Sequence, residues 1–325
     1  MKIFLTGAGG FIGSHLIKHL SLDGHKVTGV VRSLEDEDKL KSAGMTVVRS
    51  NLFDPIDLSN SLSGHDVVIH CAAYVRLWGP QQLFQDSNVR LTQALIVASQ
   101  ALGIKRFIYM SAACVVMNTR EALYKAKEDL PVCERDELPY TQSKAMAEKI
   151  VLAANTPQFQ TLALRPALVW GRGDVVDQYI GQAANEGRFG WFNQGQYPYS
   201  TCYIGNLCEA VSLALRTQVS GEAIFVADEE IMDLRNFMSQ RLEVSNYRIP
   251  TFSIARSVAW PLARFTENGW KYLPLKGEPP LVREAVRTMA YPFTVSIEKA
   301  QRLLSYQPPF TISQGFGAMN NKSLY

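Results

Sequence analysis

Cysteine is scarce and scattered. The five in 325 residues (Cys71, Cys114, Cys133, Cys202, Cys208) form no C-x-x-C, so neither a disulfide framework nor a metal site is expected. An odd number without pairing spacings suits a reducing compartment, and a cytoplasmic location is expected. Charge of one sign is lacking as well: 33 Lys and Arg stand against 30 Asp and Glu, a net charge of +3. That balance provides no basic field for a nucleic-acid backbone, so no nucleic acid is expected as a partner. Long apolar runs are missing too, since none reaches the roughly 18 residues that suggest a bilayer-spanning helix. The best stretch, Ser253 to Phe265, is broken by Arg256, Pro261 and Arg264, and no membrane span is expected. The apolar run that opens the chain ends after three residues, ahead of Gly7, and reads as a strand rather than a signal peptide. With 47% hydrophobic residues, 22 Gly and 15 Pro, the composition excludes disorder and collagen-like repeats.

What the chain does contain is an alternation. Lys2 to Leu5, Lys26 to Val31, Thr46 to Val48, Val67 to Cys71, Phe107 to Met110 and Thr161 to Leu164 read as buried strands. Between them, Ile12 to Leu22, a run around Leu34 to Lys41, Gln85 to Leu102 and Ser143 to Ala154 read as helices. Strands joined by helices pair in parallel, and a parallel sheet is covered on both faces. The expected fold is therefore α/β, a doubly wound parallel sheet. After Arg165-Pro166 four of the five tryptophans follow (Trp170, Trp191, Trp260, Trp270), which reads as a substrate end. Ile204 to Arg216 is helical again and Ala223 to Ala227 strand-like, so the chain is expected to return to the main sheet there. The expected division is a nucleotide-binding domain of residues 1–170 and 203–228, and a smaller, discontinuous C-terminal substrate domain of residues 171–202 and 229–325.

The first strand runs into Gly7-Ala8-Gly9-Gly10-Phe11-Ile12-Gly13 and a helix. Gly7 permits the tight turn, Gly10 lets the backbone approach a pyrophosphate, and Gly13 allows close contact of helix and strand; the helix start offers free N–H groups. This spacing between strand and helix points to a Rossmann dinucleotide site, with Phe11 and Ile12 in its first turn. Where an NAD-binding chain places an acid at the end of the second strand, this one has Val31-Arg32-Ser33. A guanidinium cannot accept from a ribose hydroxyl but pairs well with a 2′-phosphate, so NADP(H) is expected ahead of NAD(H). Asn51 and Leu52 after the third strand are expected to edge the adenine, and Ala72 and Ala73 after the fourth to leave room for the cofactor backbone. His15 and His19 lie one helical turn apart without a third ligand candidate, and are expected on the helix surface.

Tyr140 and Lys144 are four apart at the start of a helical pattern, so they share one face about 6 Å apart along the axis. An ammonium and a positive nicotinamide beside the phenol favour the phenolate, and such a tyrosine can exchange a proton with a carbonyl or alcohol. Tyr272 and Lys276 have the same spacing, but Pro274 between them breaks a helix.

Together these motifs resemble the extended short-chain dehydrogenase/reductase family: Thr6 to Gly13, Tyr140 to Lys144, His70-Cys71-Ala72-Ala73, Asn88, Leu164-Arg165-Pro166 and Trp170-Gly171-Arg172-Gly173-Asp174. Trp78-Gly79-Pro80, Glu267 to Trp270, Pro279 to Arg283 and Ser296 to Pro308 look most like its 3β-hydroxysteroid dehydrogenase-like branch. The resemblance implies Tyr140 as acid/base, Lys144 as the residue that holds the nicotinamide ribose and tunes the tyrosine, and Pro166 at the cofactor. It also implies a homodimer through the Gln85 to Leu102 and Ser143 to Ala154 helices. One position departs from the pattern: the third catalytic group, a Ser or Thr, falls on Ala112. Ser111 is adjacent, but side chains alternate along a strand, so either Ser111 swings in or the site works without that hydroxyl.

The function expected is an NAD(P)-dependent oxidoreductase, interconverting a ketone and a secondary alcohol on a fairly apolar small molecule. Trp78, Trp170, Phe189, Trp191, Phe192, Trp260, Phe265 and Trp270 lie where the family builds its substrate pocket. The alternatives are a nucleotide-sugar epimerase or dehydratase, with Arg188 and Arg283 as diphosphate clamps, and a non-catalytic NADP-binding sensor or interaction protein, for which Ala112 argues.

Overall fold

Seven strands pair in parallel in the order Glu222–Val226, Gln160–Pro166, Arg106–Met110, Val67–His70, Lys2–Thr6, Lys26–Val31, Val47–Arg49. This computed structural model describes residues 1–320; residues 321–325, the end of the expected substrate domain, lie outside the described residues. Because side chains alternate along a strand, each strand feeds two cores. Ile3, Leu5, Ile69, Ile108 and Leu164 pack with Leu16, Leu20, Leu207 and Val211 on one face. Phe4, Val68, Phe107 and Ala163 pack with Leu58, Leu95, Ala147 and Val151 on the other. Helices therefore cover both faces, as a parallel sheet requires.

Two helices start earlier than their apolar periodicity indicates. The one read from Ser143 begins at Pro139, whose missing N–H costs nothing in a first helical turn. The one read from Gln85 begins at Gln81, passes through a widened π turn at Gln85–Arg90 and continues over Leu91–Ala101. The segment after the sixth strand does return: the Ile204–Arg216 helix is followed by Glu222–Val226, which pairs with Gln160–Pro166 at the sheet edge.

A smaller sheet is formed by Met232–Asp233, Pro198–Tyr199, Phe293–Val295 and Leu123–Ala126, in that order. Its strand Leu123–Ala126 comes from the first half of the chain, and periodicity had not revealed it. Beyond it, the Arg256–Tyr272 and Arg283–Met289 helices meet through Ala259, Ala263, Val286, Ala290 and Tyr291.

Candidate functional site

The carboxyl ends of Lys2–Thr6 and Val67–His70 lie side by side where the chain leaves in opposite directions, the place where doubly wound sheets bind nucleotides. Gly7 has φ +73°, and a Cβ there would stand 2.8 Å from the Ala72 nitrogen. A Cβ on Gly13 would lie 2.1 Å from the Gly7 oxygen, so only glycine lets this helix sit so close to the loop. The helix has Gly10 at its N-cap with no side-chain cap, leaving the N–H groups of its first turn for a ligand. Beneath the loop, Thr6 Oγ1 and His70 Nδ1 are 2.7 Å apart and His70 Nε2 lies 2.9 Å from Thr92 Oγ1. Burial holds the imidazole down at about 3, so it is neutral.

Phe11 and Ile12 are half-buried in that first turn, and Ala72 and Ala73 are half-buried opposite them. Arg32 is exposed and makes no hydrogen bond or ion pair among the described residues. Ser33 caps the next helix, accepting from the Asp36 N–H, and donates its hydroxyl to Asp36 Oδ2 at 2.7 Å. A Cβ on Gly9 would lie 2.8 Å from that carboxylate, so an acid stands against the glycine loop. This acid lies four residues beyond Arg32, the strand-end position at which an NAD-binding chain carries one. Asn51 is exposed and folds onto its own loop, its Oδ1 accepting from Phe53 N, while Leu52 is buried in the core. Pro166 is buried at the end of its strand, paired with Val226.

Tyr140 opens its helix and is half-buried, as are Ala112 and Cys114 at the end of the fifth strand. Lys144 is buried; its Nζ donates to the Met110 oxygen at 2.5 Å and lies 4.2 Å from the Tyr109 ring centre. Burial lowers its pKa to about 8. Burial also raises the Tyr140 pKa, with the neighbouring Cys114 and Glu284 side chains adding to the effect. Desolvation, rather than the downward pull expected from the lysine, sets the phenol in the protein alone, and it is protonated at neutral pH. Cys71 and Cys114 are pushed up to about 12 by burial and stay thiols.

Ser111 is buried and turned to Glu148. Its hydroxyl donates to Glu148 Oε2 at 2.6 Å inside a buried ion pair, in which Arg165 meets both carboxylate oxygens at 2.7 and 2.9 Å. Glu148 lies one turn beyond Lys144 on the same helix, so this pair anchors the helix that carries Tyr140 to the end of the sixth strand. Asn88 holds the other side: its Oδ1 accepts from Tyr74 N at 2.6 Å and its Nδ2 donates to Ser143 Oγ at 2.9 Å.

A residue that sequence reasoning did not find is Glu284. Its buried carboxyl accepts from the Tyr140 N–H and Thr141 N–H, each at 3.2 Å, and from the Thr141 hydroxyl at 2.5 Å. It caps the start of the Tyr140 helix from 144 positions further along the chain, and burial raises it to about 7. Nearby, the buried Arg287 gives its Nε to the Met117 oxygen, and both terminal nitrogens lack a partner among the described residues.

The aromatic residues expected at the substrate differ in their surroundings. Trp170 is buried in the core, its Nε1 donating to Asp228 at 2.8 Å, and Trp191 is buried with its Nε1 on the Pro250 oxygen. Phe265 faces solvent. The two expected diphosphate clamps are occupied: Arg188 pairs with Glu186, and Arg283 with Glu267 at 2.5 Å. His15 and His19 turn to the Phe11 oxygen and the Ser212 hydroxyl respectively. Tyr272 ends its helix and Lys276 lies beyond it, so that pair is not helical.

Residues 4–251 match the 3-beta hydroxysteroid dehydrogenase/isomerase family. The chain is 32% identical to a 2-alkyl-3-oxoalkanoate reductase of Stenotrophomonas maltophilia, covering 99% of both chains. It is 31% identical to a 4-hydroxy-2-methyl-3-oxo-4-farnesyl-3,4-dihydroquinoline-1-oxide ketoreductase of Stigmatella aurantiaca, over 98% of this chain and 96% of that one. Among solved structures it resembles UDP-glucuronic acid 4-epimerase from Bacillus cereus with NAD, with a TM-score of 0.74 and 23% identity over 100% of this chain and 97% of that one. At that identity the likeness concerns the fold.

Proposed function

The chain belongs to the 3-beta hydroxysteroid dehydrogenase/isomerase family of extended short-chain dehydrogenases/reductases, and from that premise we propose an NADPH-preferring ketoreductase acting on a fairly apolar ketone. It is an oxidoreductase that uses a nicotinamide dinucleotide and interconverts a ketone and a secondary alcohol on a small molecule. The observation that carries the finer reading is Tyr140: a half-buried phenol, protonated at neutral pH, beside Cys114 at the start of its helix. Residues 1–170 and 203–228 would form the cofactor-binding domain, and 171–202 and 229–325 the substrate-binding one.

The glycine loop and the uncapped first helix fit a dinucleotide pyrophosphate. The cofactor would be held by Gly7, Gly10, Phe11, Ile12, Gly13, Arg32, Asn51, Leu52, Ala72, Ala73, Tyr140, Lys144 and Pro166, and when bound it supplies the hydride. Tyr140 donates its phenolic proton to the substrate oxygen. Lys144, fixed through Met110, would hold the nicotinamide ribose and tune the tyrosine. Ser111 stays with Glu148 and contributes no hydrogen bond to substrate. The unpartnered Arg287 supports a substrate carrying an acceptor oxygen beside its apolar part. The paired state of Arg188 and Arg283 weighs against a nucleotide-sugar diphosphate.

The free guanidinium of Arg32 supports NADPH; Asp36, against the loop, favours the second reading, NAD use. One charge-assisted contact is worth about 1.5 to 3 kcal/mol, so Arg32→Ala is expected to weaken NADPH binding about 10- to 150-fold and to leave NADH unchanged. Titrations of both cofactors against both proteins check this, and tighter NADH binding by the unmodified protein would refute the preference. A cytoplasmic enzyme is proposed, and a homodimer through the helices that expose Leu83, Val97 and Met146.

The overall test is to identify any nucleotide carried through purification and then screen apolar ketones with NADPH. Exchangeable NADPH with carbonyl turnover supports the proposal; tightly held NAD without turnover overturns it. The same assay bears on Ala112. A missing donor at the developing oxyanion costs about 2.7 to 4 kcal/mol. Because Ser111 is engaged elsewhere, Ala112→Ser is expected to raise kcat at least about 10-fold, equivalent to about 1.4 kcal/mol of barrier. An unchanged kcat would mean that another group already supplies the hydrogen bond.

A further inference from the structure

The helix that carries Tyr140 has no cap of its own. Its N-cap position is Leu138, whose side chain accepts no hydrogen bond, so the N–H groups of Tyr140 and Thr141 in the first turn need a partner from elsewhere. Glu284 is that partner. One of its oxygens accepts from the Tyr140 N–H, and the other from the Thr141 N–H and hydroxyl. A serine or aspartate at position 138 would satisfy the same groups from within the helix. The carboxyl is instead 1% exposed and makes no ion pair among the described residues, and a buried anion without a counter-charge costs stability.

What the distant carboxyl adds is a link. The Arg283–Met289 helix is held by residues of the proposed substrate-binding part. The Tyr199 and Tyr197 hydroxyls donate to the Thr288 and Met289 oxygens, each at 2.5 Å. Arg283 gives its backbone N–H and its Nε to Glu267 at 2.6 and 2.5 Å. The seating of this helix therefore reaches the backbone of Tyr140, at the N–H one bond from the Cα that carries the phenol.

We propose that Glu284 is a positioning residue: its carboxylate makes the placement of the Tyr140 phenol depend on the seating of the Arg283–Met289 helix. The proposal rests on Tyr140 as the acid/base. It needs the ionised form, because a protonated carboxyl turns one oxygen into a donor and no longer holds both N–H groups. Burial raises the carboxyl to about 7 against the hydrogen bonds of Thr141 and Tyr140, and Glu267 adds to the rise. Tyr140, Cys114 and Cys133 also face it, and burial keeps each of them protonated at that pH. On its own helix, Arg283 pairs with Glu267 and Arg287 donates to the Met117 oxygen. The tyrosine is therefore held above pH about 7 and released as the pH falls through it. Lys144, lowered to about 8, would act in the opposite sense, losing its charge as the pH rises.

The test is the pH profile of kcat, with NADPH and a carbonyl found to react, for the unmodified protein, Glu284→Gln and Thr141→Val. Glutamine is close in shape and keeps one acceptor oxygen without the charge, so it reproduces the protonated form at every pH. The expected result for Glu284→Gln is a kcat lowered at least about 10-fold at the pH optimum, NADPH affinity unchanged, and loss of the acid limb that the unmodified protein shows near 7. Thr141→Val removes a hydrogen bond that favours the carboxylate, so its acid limb should move to higher pH. A merely structural cap would lower the melting temperature of Glu284→Gln and leave the kcat and pH profile of the folded variant unchanged, and that result overturns the proposal. If Glu284→Gln does not fold, an unmoved acid limb in Thr141→Val overturns it. An inactive Tyr140→Phe beside a fully active Glu284→Gln refutes this inference alone, whereas an active Tyr140→Phe refutes the acid/base reading with it.

Discussion

Tyr140→Phe is expected to lower kcat by about 10²- to 10⁴-fold while leaving cofactor affinity nearly intact, because the substitution removes one transferable proton and little else. The ring stays in its place at the start of the Pro139–Ala153 helix, and the Tyr140 backbone N–H remains on Glu284. Lys144 keeps its own bond to Met110, so the ammonium is not released into the site. The measurement is kcat on a carbonyl found to react, beside a cofactor titration of the same preparation. Retention of most of the rate would assign the proton to another group. Loss of rate together with cofactor binding would instead point to damage to the helix start.

Glu148→Ala should destabilise the fold by about 3 to 5 kcal/mol, since it leaves the Arg165 guanidinium buried without its counter-charge. Arg165 and Glu148 are both almost wholly buried and meet through two hydrogen bonds, with Ser111 as a third donor to the same carboxylate. Ser111→Ala removes only one donor and should cost about 1 kcal/mol. Chemical denaturation of both variants against the unmodified protein tests the order. Equal small losses would mean that water or a rearranged side chain replaces the pair. Because Glu148 is one turn from Lys144, turnover is expected to fall with stability in Glu148→Ala.

The parts of the site that the sequence revealed are those built from neighbours. The glycine turn, the apolar strands and the four-residue step from Tyr140 to Lys144 depend on φ freedom, two-residue alternation and helical pitch, all fixed within a few positions of chain. The position of Arg32 was legible for the same reason, as the residue that follows a strand end. Helix starts at Pro139 and Gln81 were less so, because their first turns carry no apolar periodicity.

What periodicity could not provide is which distant groups meet. Ser111 and Ala112 are adjacent, and the sequence left open which way the hydroxyl turned; the fold decided it by placing Glu148 and Arg165 beneath the strand. Glu284 reaches Tyr140 only because the Arg283–Met289 helix packs against the Pro139–Ala153 helix. Trp170 and Phe265 have the same apolar character in sequence, yet one lies in the core against Asp228 and the other on the surface. Local sequence thus determined the glycine loop and the Tyr-Lys step, whereas burial, caps and ion pairs were decided by the tertiary structure, because desolvation and pairing depend on what surrounds a group in space rather than along the chain.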